Sequence, residues 1–216
     1  MADGEAVIHE VPYYAQWESA GLVREIIEGA VHAEDDPRWG ASGASTPEEY
    51  AFWSWRLCGV ACLRMALDYW WGVAPAAVAL AGELVEAGAY VRDGGRLAGL
   101  VHEPFAGYVR QRWGLAAQTR AELPATAVAQ EVARGRLAMV SVHPAIRDPR
   151  GPEPERRGGH LVLVVGATGT GLVIHNPSGF AGESQDYAHV PWRRFERFSA
   201  GRGIVLGPPA PAPGPQ

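Results

Sequence analysis

Leu57-Cys-Gly-Val-Ala-Cys-Leu-Arg-Met-Ala-Leu-Asp-Tyr-Trp-Trp71 is the stretch on which the fold turns. Apolar side chains at 57, 60, 61, 63, 65, 67, 70 and 71 are too many for a solvated face, so the pattern predicts a central, largely buried helix. Cys58 falls in its first turn, where the helix dipole and unpaired N–H groups favour thiolate. Cys62, one turn deeper among Ala61, Met65 and Ala66, reads as a small apolar filler. A four-residue spacing inside a helix is poor geometry for a bridge, and both residues are expected to be free thiols.

Upstream, Val11-Pro-Tyr-Tyr-Ala-Gln16 is a short extended segment, and Ser19 to Gly29 has a helix's cap and stop. Ala30 to Pro47 has no period and many breakers, a long loop whose 30–50 region could act as a lid, with Trp39 lining a cleft beneath it. Thr46-Pro47-Glu48-Glu49 supplies a cap, a first helical position and an acidic first turn for a short aromatic helix through Trp55. Downstream, Pro75–Ala87, Pro104–Trp113 and Leu123–Arg134 read as helices.

After Gly135 the texture changes. Leu137–Val142, Leu161–Val165, Leu172–His175 and Gly203–Leu206 are short, rich in β-branched residues and bounded by Gly or Pro, which predicts strands. Pro144 to Gly159 lies between two of them as an exposed loop with nothing to form a core, and Pro191 to Ser199 is a helix outside the sheet. Helices followed by an antiparallel sheet give the α+β class. The expected organisation is one domain over 1–206, with a helical lobe over 11–135, a sheet lobe over 136–206 and a disordered Pro-rich tail over 207–216.

Composition narrows the function classes. A length of 216 residues suits one domain, and 47% hydrophobic against 20% charged residues excludes disorder and small disulfide scaffolds. The net charge is −5 and all 19 basic residues are Arg, a balance that argues against a nucleic-acid partner. Met1-Ala-Asp-Gly-Glu-Ala6 is acidic where a secretory signal is basic, and the longest apolar run, Leu161 to Ala167, is far too short to span a bilayer. A soluble, cytoplasmic protein without a membrane partner is expected. The Cys58-x₃-Cys62 spacing lacks the second ligand pair of a zinc site, so no metal or cofactor is expected.

The second chemical element is Gly158-Gly159-His160 leading a strand that returns as Leu172-Val-Ile-His175-Asn176. A hairpin turning at Thr168 to Thr170 sets Asn176 one to three positions beyond His160 on the partner strand, so the two side chains can meet at its open end. An imidazole held by a carboxamide is the base-plus-orienter pair that activated thiols use. His143 and His175 compete for the role. The glycines at 158 and 159 either end a loop or let a substrate backbone approach the imidazole.

Taken in order, Val11–Gln16, Cys58-Gly-Val-Ala-Cys-Leu-Arg-Met-Ala-Leu, Gly158-Gly-His160-Leu-Val-Leu-Val-Val-Gly and His175-Asn176-Pro resemble the motifs of the bacteriocin-processing (double-glycine leader) peptidases and their stand-alone relatives, cysteine peptidase family thirty-nine. The resemblance spans Val11 to Leu206 and implies a papain-like fold from a bacterial source. By position it implies Cys58 as nucleophile, His160 as general base and acid, Asn176 as orienter and Gln16 as a side-chain donor to the oxyanion hole. Two departures stand out: the family more often has Asp at the position of Asn176, and Gln16 precedes Cys58 by 42 residues rather than a handful.

The implied function is hydrolysis of a peptide or amide bond through a thioester, with a peptide or acyl substrate and Gly158, Gly159 and Trp39 at the binding site. Two alternatives use the same residues: an acyltransferase, cyclase or ligase passing the acyl group to an amine, and an inactive binding module. The Arg147, Arg150, Arg156 and Arg157 group is either a solvated loop or a guide for an acidic peptide.

Overall fold

The computed structural model describes residues 6–93, 96–97, 99–148 and 151–209. In chain order the elements are β1 (Val7–Ile8), α1 (Val23–Glu28), α2 (Pro47–Ser54), α3 (Cys58–Trp71), α4 (Ala77–Glu86), β2 (Arg92–Asp93), β3 (Arg96–Leu97), α5 (His102–Trp113), β4 (Leu115–Arg120), α6 (Ala125–Ala133), β5 (Leu137–Val142), β6 (His160–Ala167), β7 (Gly171–His175), β8 (Ala188–Pro191), α7 (Trp192–Phe198) and β9 (Ser199–Pro209). One antiparallel sheet runs in the order β4-β9-β5-β6-β7-β8, with β1 paired to the end of β6. This is the expected α+β, papain-like architecture.

Successive residues of a strand point to opposite faces, and here both faces are covered. Leu137, Met139, Leu161, Leu163, Val165 and Leu206 pack with α2 to α5 in the larger core. Their alternates Ala138, Val140, Val142, Val162, Val164 and Val205 pack with Val128 and Val132 of α6 and Phe195 and Phe198 of α7. Within the larger core, α3 is buried from Gly59 to Leu67, as its apolar content requires, and Gly72 ends it in a left-handed conformation. No described helix is long and apolar enough to cross a membrane.

Four expectations need correction. The helical half contains strands: β2 pairs with β3, and Leu115–Arg120 is drawn into the main sheet by pairing with β9. Pro209 is Leu115's partner, so residues 207–209 continue β9 rather than opening a tail, and 210–216 lie outside the described residues. The 144–159 loop does contribute to a core, through the 3₁₀ turn Pro144–Arg147 and Ile146, which is 1% exposed.

The loop after α1 is pinned rather than poised as a lid. Asp36 is fully buried and its carboxylate accepts hydrogen bonds from Ser19 N (3.1 Å), Ser19 Oγ (2.5 Å), Tyr50 Oη (2.5 Å) and Arg38 N (2.9 Å). Those bonds hold its carboxyl below the usual range even though burial pushes it the other way. Thr46 caps α2 as the sequence predicts, its Oγ1 accepting from Glu49 N at 3.2 Å.

Candidate active site

Leu57 forms the cap of α3 without a side-chain hydrogen bond, so the first-turn N–H groups beside Cys58 are not taken by a capping side chain. The thiol is half-buried and borders a cleft of about 450 Å³. Burial pushes the Cys58 thiol up, while backbone N–H groups of Leu161, Gly59 and Cys58 itself act in the opposite direction. Thiolate is therefore not the resting form that the helix end alone suggests.

His160 opens β6 and borders the same cleft. A register slip between Val164 and Gly166 decides what it meets. After the slip Leu163 pairs with His175, so the next residue, Asn176, falls opposite Val162 and on the face that His160 shares. His160 Nε2 lies 2.8 Å from Asn176 Oδ1. The backbone N–H of Ser178 also points at Oδ1 (3.1 Å), and an N–H can only donate, which fixes that atom as the oxygen. Nε2 must then carry the proton it gives to Asn176, which leaves Nδ1 as the basic nitrogen.

Burial lowers His160 to about 4; the bond to Asn176 opposes this and the nearby Arg147 cation adds to it. Cys58 and His160 are each held away from their charged forms by burial.

Two neighbours of this pair escaped sequence reasoning. Ser178 Oγ is 3.1 Å from His160 Nε2, and Arg147 Nη2 donates to that hydroxyl at 3.0 Å. The signal available was the Asn176-Pro177-Ser178 turn, where an Asn side chain accepting from the N–H two residues on brings Ser178 back over the imidazole. Arg147 is expected in a solvated or peptide-guiding arginine loop, but the 3₁₀ turn Pro144–Arg147 carries it inward onto Ser178.

Gln16 is buried between the two halves of the site. Its backbone N–H donates to Pro177 O (2.9 Å) and its Nε2 to Ser54 O (3.0 Å), so the chain crosses the 42 intervening residues and returns to the approach to α3. One Nε2 hydrogen is used there, and Gln16 is not among the described residues that line the Cys58 cleft. Gly158 and Gly159 take φ of +98° and +89°, which L side chains rarely adopt, and Gly159 borders the cleft.

Trp39 is not among the described residues around the cleft; it heads the turn Trp39–Ser42 and its ring packs against the larger core. The cleft is walled instead by Trp55, Tyr90, Leu97, Leu100 and His102, with no residue of the 30–50 loop among its described lining. Among the competing histidines, His175 is spent on structure, its Nδ1 accepting from Tyr187 N (3.1 Å) and its Nε2 bonding Val11 O (2.9 Å). His143 Nδ1 accepts from Ala145 N at 3.2 Å and caps a turn.

No family model and no curated protein matches the sequence. Solved structures do. A protein of Bacillus anthracis described as a C39-like peptidase superposes with a TM-score of 0.60 at 16% identity, over 96% of this chain and 100% of that one. The chain has the fold of a C39-like peptidase. The peptidase domain of Streptococcus ComA, a bifunctional ABC transporter of a quorum-sensing pathway, gives a TM-score of 0.47 at 17% identity, over 71% of this chain and 92% of the domain. The C39-like fold is thus shared across both layers of the chain and is not confined to the helix that bears Cys58.

Proposed function

We propose that this protein is a cysteine peptidase-like hydrolase that cleaves a peptide or amide bond through a thioester on Cys58. The observation that carries the reading is the 2.8 Å contact between His160 Nε2 and Asn176 Oδ1 at the wall of the cleft that Cys58 borders. Sγ attacks the carbonyl carbon as its proton passes to His160 Nδ1. The Cys58 N–H and the second hydrogen of Gln16 Nε2 receive the oxyanion. When the C–N bond breaks, His160 returns the proton to the leaving amine. A water molecule, deprotonated by the same nitrogen, then splits the thioester into a carboxylic acid and the free thiol. Proton transfer concerted with attack suits two groups that burial keeps neutral at rest.

The pinned 30–50 loop does not wall the cleft and so offers no means of excluding water, which favours hydrolysis over transfer to an amine. A peptide library incubated with the protein and read by mass spectrometry tests the reading. New carboxyl termini are expected with the parent chain and none with Cys58→Ala; cleavage that survives the substitution overturns it.

A further inference from the structure

Arg56 and Arg202 stand in the wall of the Cys58 cleft beside His102, which burial and the Arg202 cation hold toward its neutral form, and the described lining contains no carboxylate. Arg202 also borders a second groove of about 650 Å³, lined by Arg157, Arg193 and Arg197 with a single acid, Glu196. Gly158 makes the junction: a β-carbon there would come within 3.3 Å of Arg202 Nη2. The uncapped start of α6, Pro124–Ala125, faces the same groove and adds the positive end of its dipole.

These charges are largely unanswered. Among the described residues no ion pair uses Arg56, Arg193 or Arg202; Arg197 donates to Gly151 O (3.0 Å), and Arg157 meets Glu153 in an exposed pair (3.0 Å). A run of cations on a chain of net charge −5 is a local feature that composition conceals. Such a run attracts and orients an anion as it approaches.

We propose that this groove binds an acidic segment of the substrate peptide lying to one side of the bond presented to Cys58. The inference rests on the peptidase reading and adds the substrate class to it. A peptide fits better than a nucleic acid because the track ends at the thiol cleft and its second groove has no aromatic ring among its described lining on which a base could stack.

Binding is measured on the Cys58→Ala chain, by fluorescence anisotropy, with a labelled peptide carrying four consecutive Glu and its Gln analogue. The Glu peptide is expected to bind about tenfold tighter at low salt, with the difference lost at high salt. Replacing Arg193, Arg197 and Arg202 together by Gln should bring the two peptides to parity, and replacing them by Lys should keep most of the preference. Equal affinity of the two peptides on the Cys58→Ala chain overturns the proposal without need of any further variant. So does a preference that the Gln triple leaves intact while its unfolding midpoint is unchanged, or stronger binding of a single-stranded oligonucleotide of the same charge at the same groove. Because no turnover is read, failure here leaves the thiol chemistry standing. Conversely, a parent chain that cleaves nothing yet binds the Glu peptide would sink only the peptidase reading.

Discussion

Cys58 and Cys62 sit one turn apart on α3 and meet the same residue of β6, one at its backbone N–H and the other at its carbonyl. The N–H of Leu161 favours the Cys58 thiolate, whereas the Cys62 thiol points at the Leu161 carbonyl, 3.8 Å away, which favours the protonated form. Cys58 is half-buried on the cleft; Cys62 is wholly enclosed, and burial pushes its thiol well above the ordinary range. Two thiols of one helix, both pushed up by burial, are thus given different surroundings by one strand. Position relative to the helix end and to the backbone of Leu161 matters more than the local sequence, Cys-Gly-Val-Ala-Cys.

The sharpest way to break that contrast is to delete each sulfur. Cys58→Ala should remove both labelling by an electrophilic peptide probe and all turnover, whereas labelling that moves to Cys62 reverses the assignment. His160→Ala should lower kcat/KM by about 10²- to 10⁴-fold, the usual worth of a positioned base, as read by steady-state kinetics. Gln16→Ala should cost about 10²- to 10³-fold with KM little changed, since an oxyanion donor acts in the transition state.

Stability offers two smaller effects. His160 is held near 4 in the folded chain against an ordinary 6.5, so between those values the unfolded chain binds the extra proton. The folded state should therefore be fully favoured above pH 6.5 and lose up to about 3 kcal/mol as pH falls toward 4, a loss that His160→Gln should reduce in denaturant melts. Cys62→Ala should leave the kinetics intact and cost about 1 kcal/mol, the price of a methyl-sized void.

Much of the fold was legible because it rests on periodicity. The apolar crowding of residues 57–71 and the β-branched runs after Gly135 predicted α3, β5, β6, β7 and the central part of β9. β4 was missed because Leu-Ala-Ala-Gln-Thr-Arg has weak strand propensity of its own and is recruited by β9, more than 80 residues away. The meeting of His160 with Asn176 was legible from the turn at Thr168 to Thr170, but the slip at Val164 and Gly166 that puts them on one face was not. Nor could spacing reveal the cleft walls, because Trp55, Tyr90, Leu100, His102 and Arg202 come from separate segments joined only by packing. The 30–50 loop misled for a related reason: a single buried carboxylate, Asp36, orders a segment whose composition reads as mobile.

The central claim is that His160 serves Cys58 and not Cys62. Alkylation by iodoacetamide, followed at each cysteine by peptide mapping across pH in the parent and in His160→Ala, tests it most directly. In the parent, Cys58 should react at a constant rate through neutral pH, slow as pH falls through about 4 and quicken again in alkali. In His160→Ala only the alkaline rise should remain, with Cys62 silent in both. Identical Cys58 profiles in the two proteins, or equal reaction at Cys62, would contradict the account.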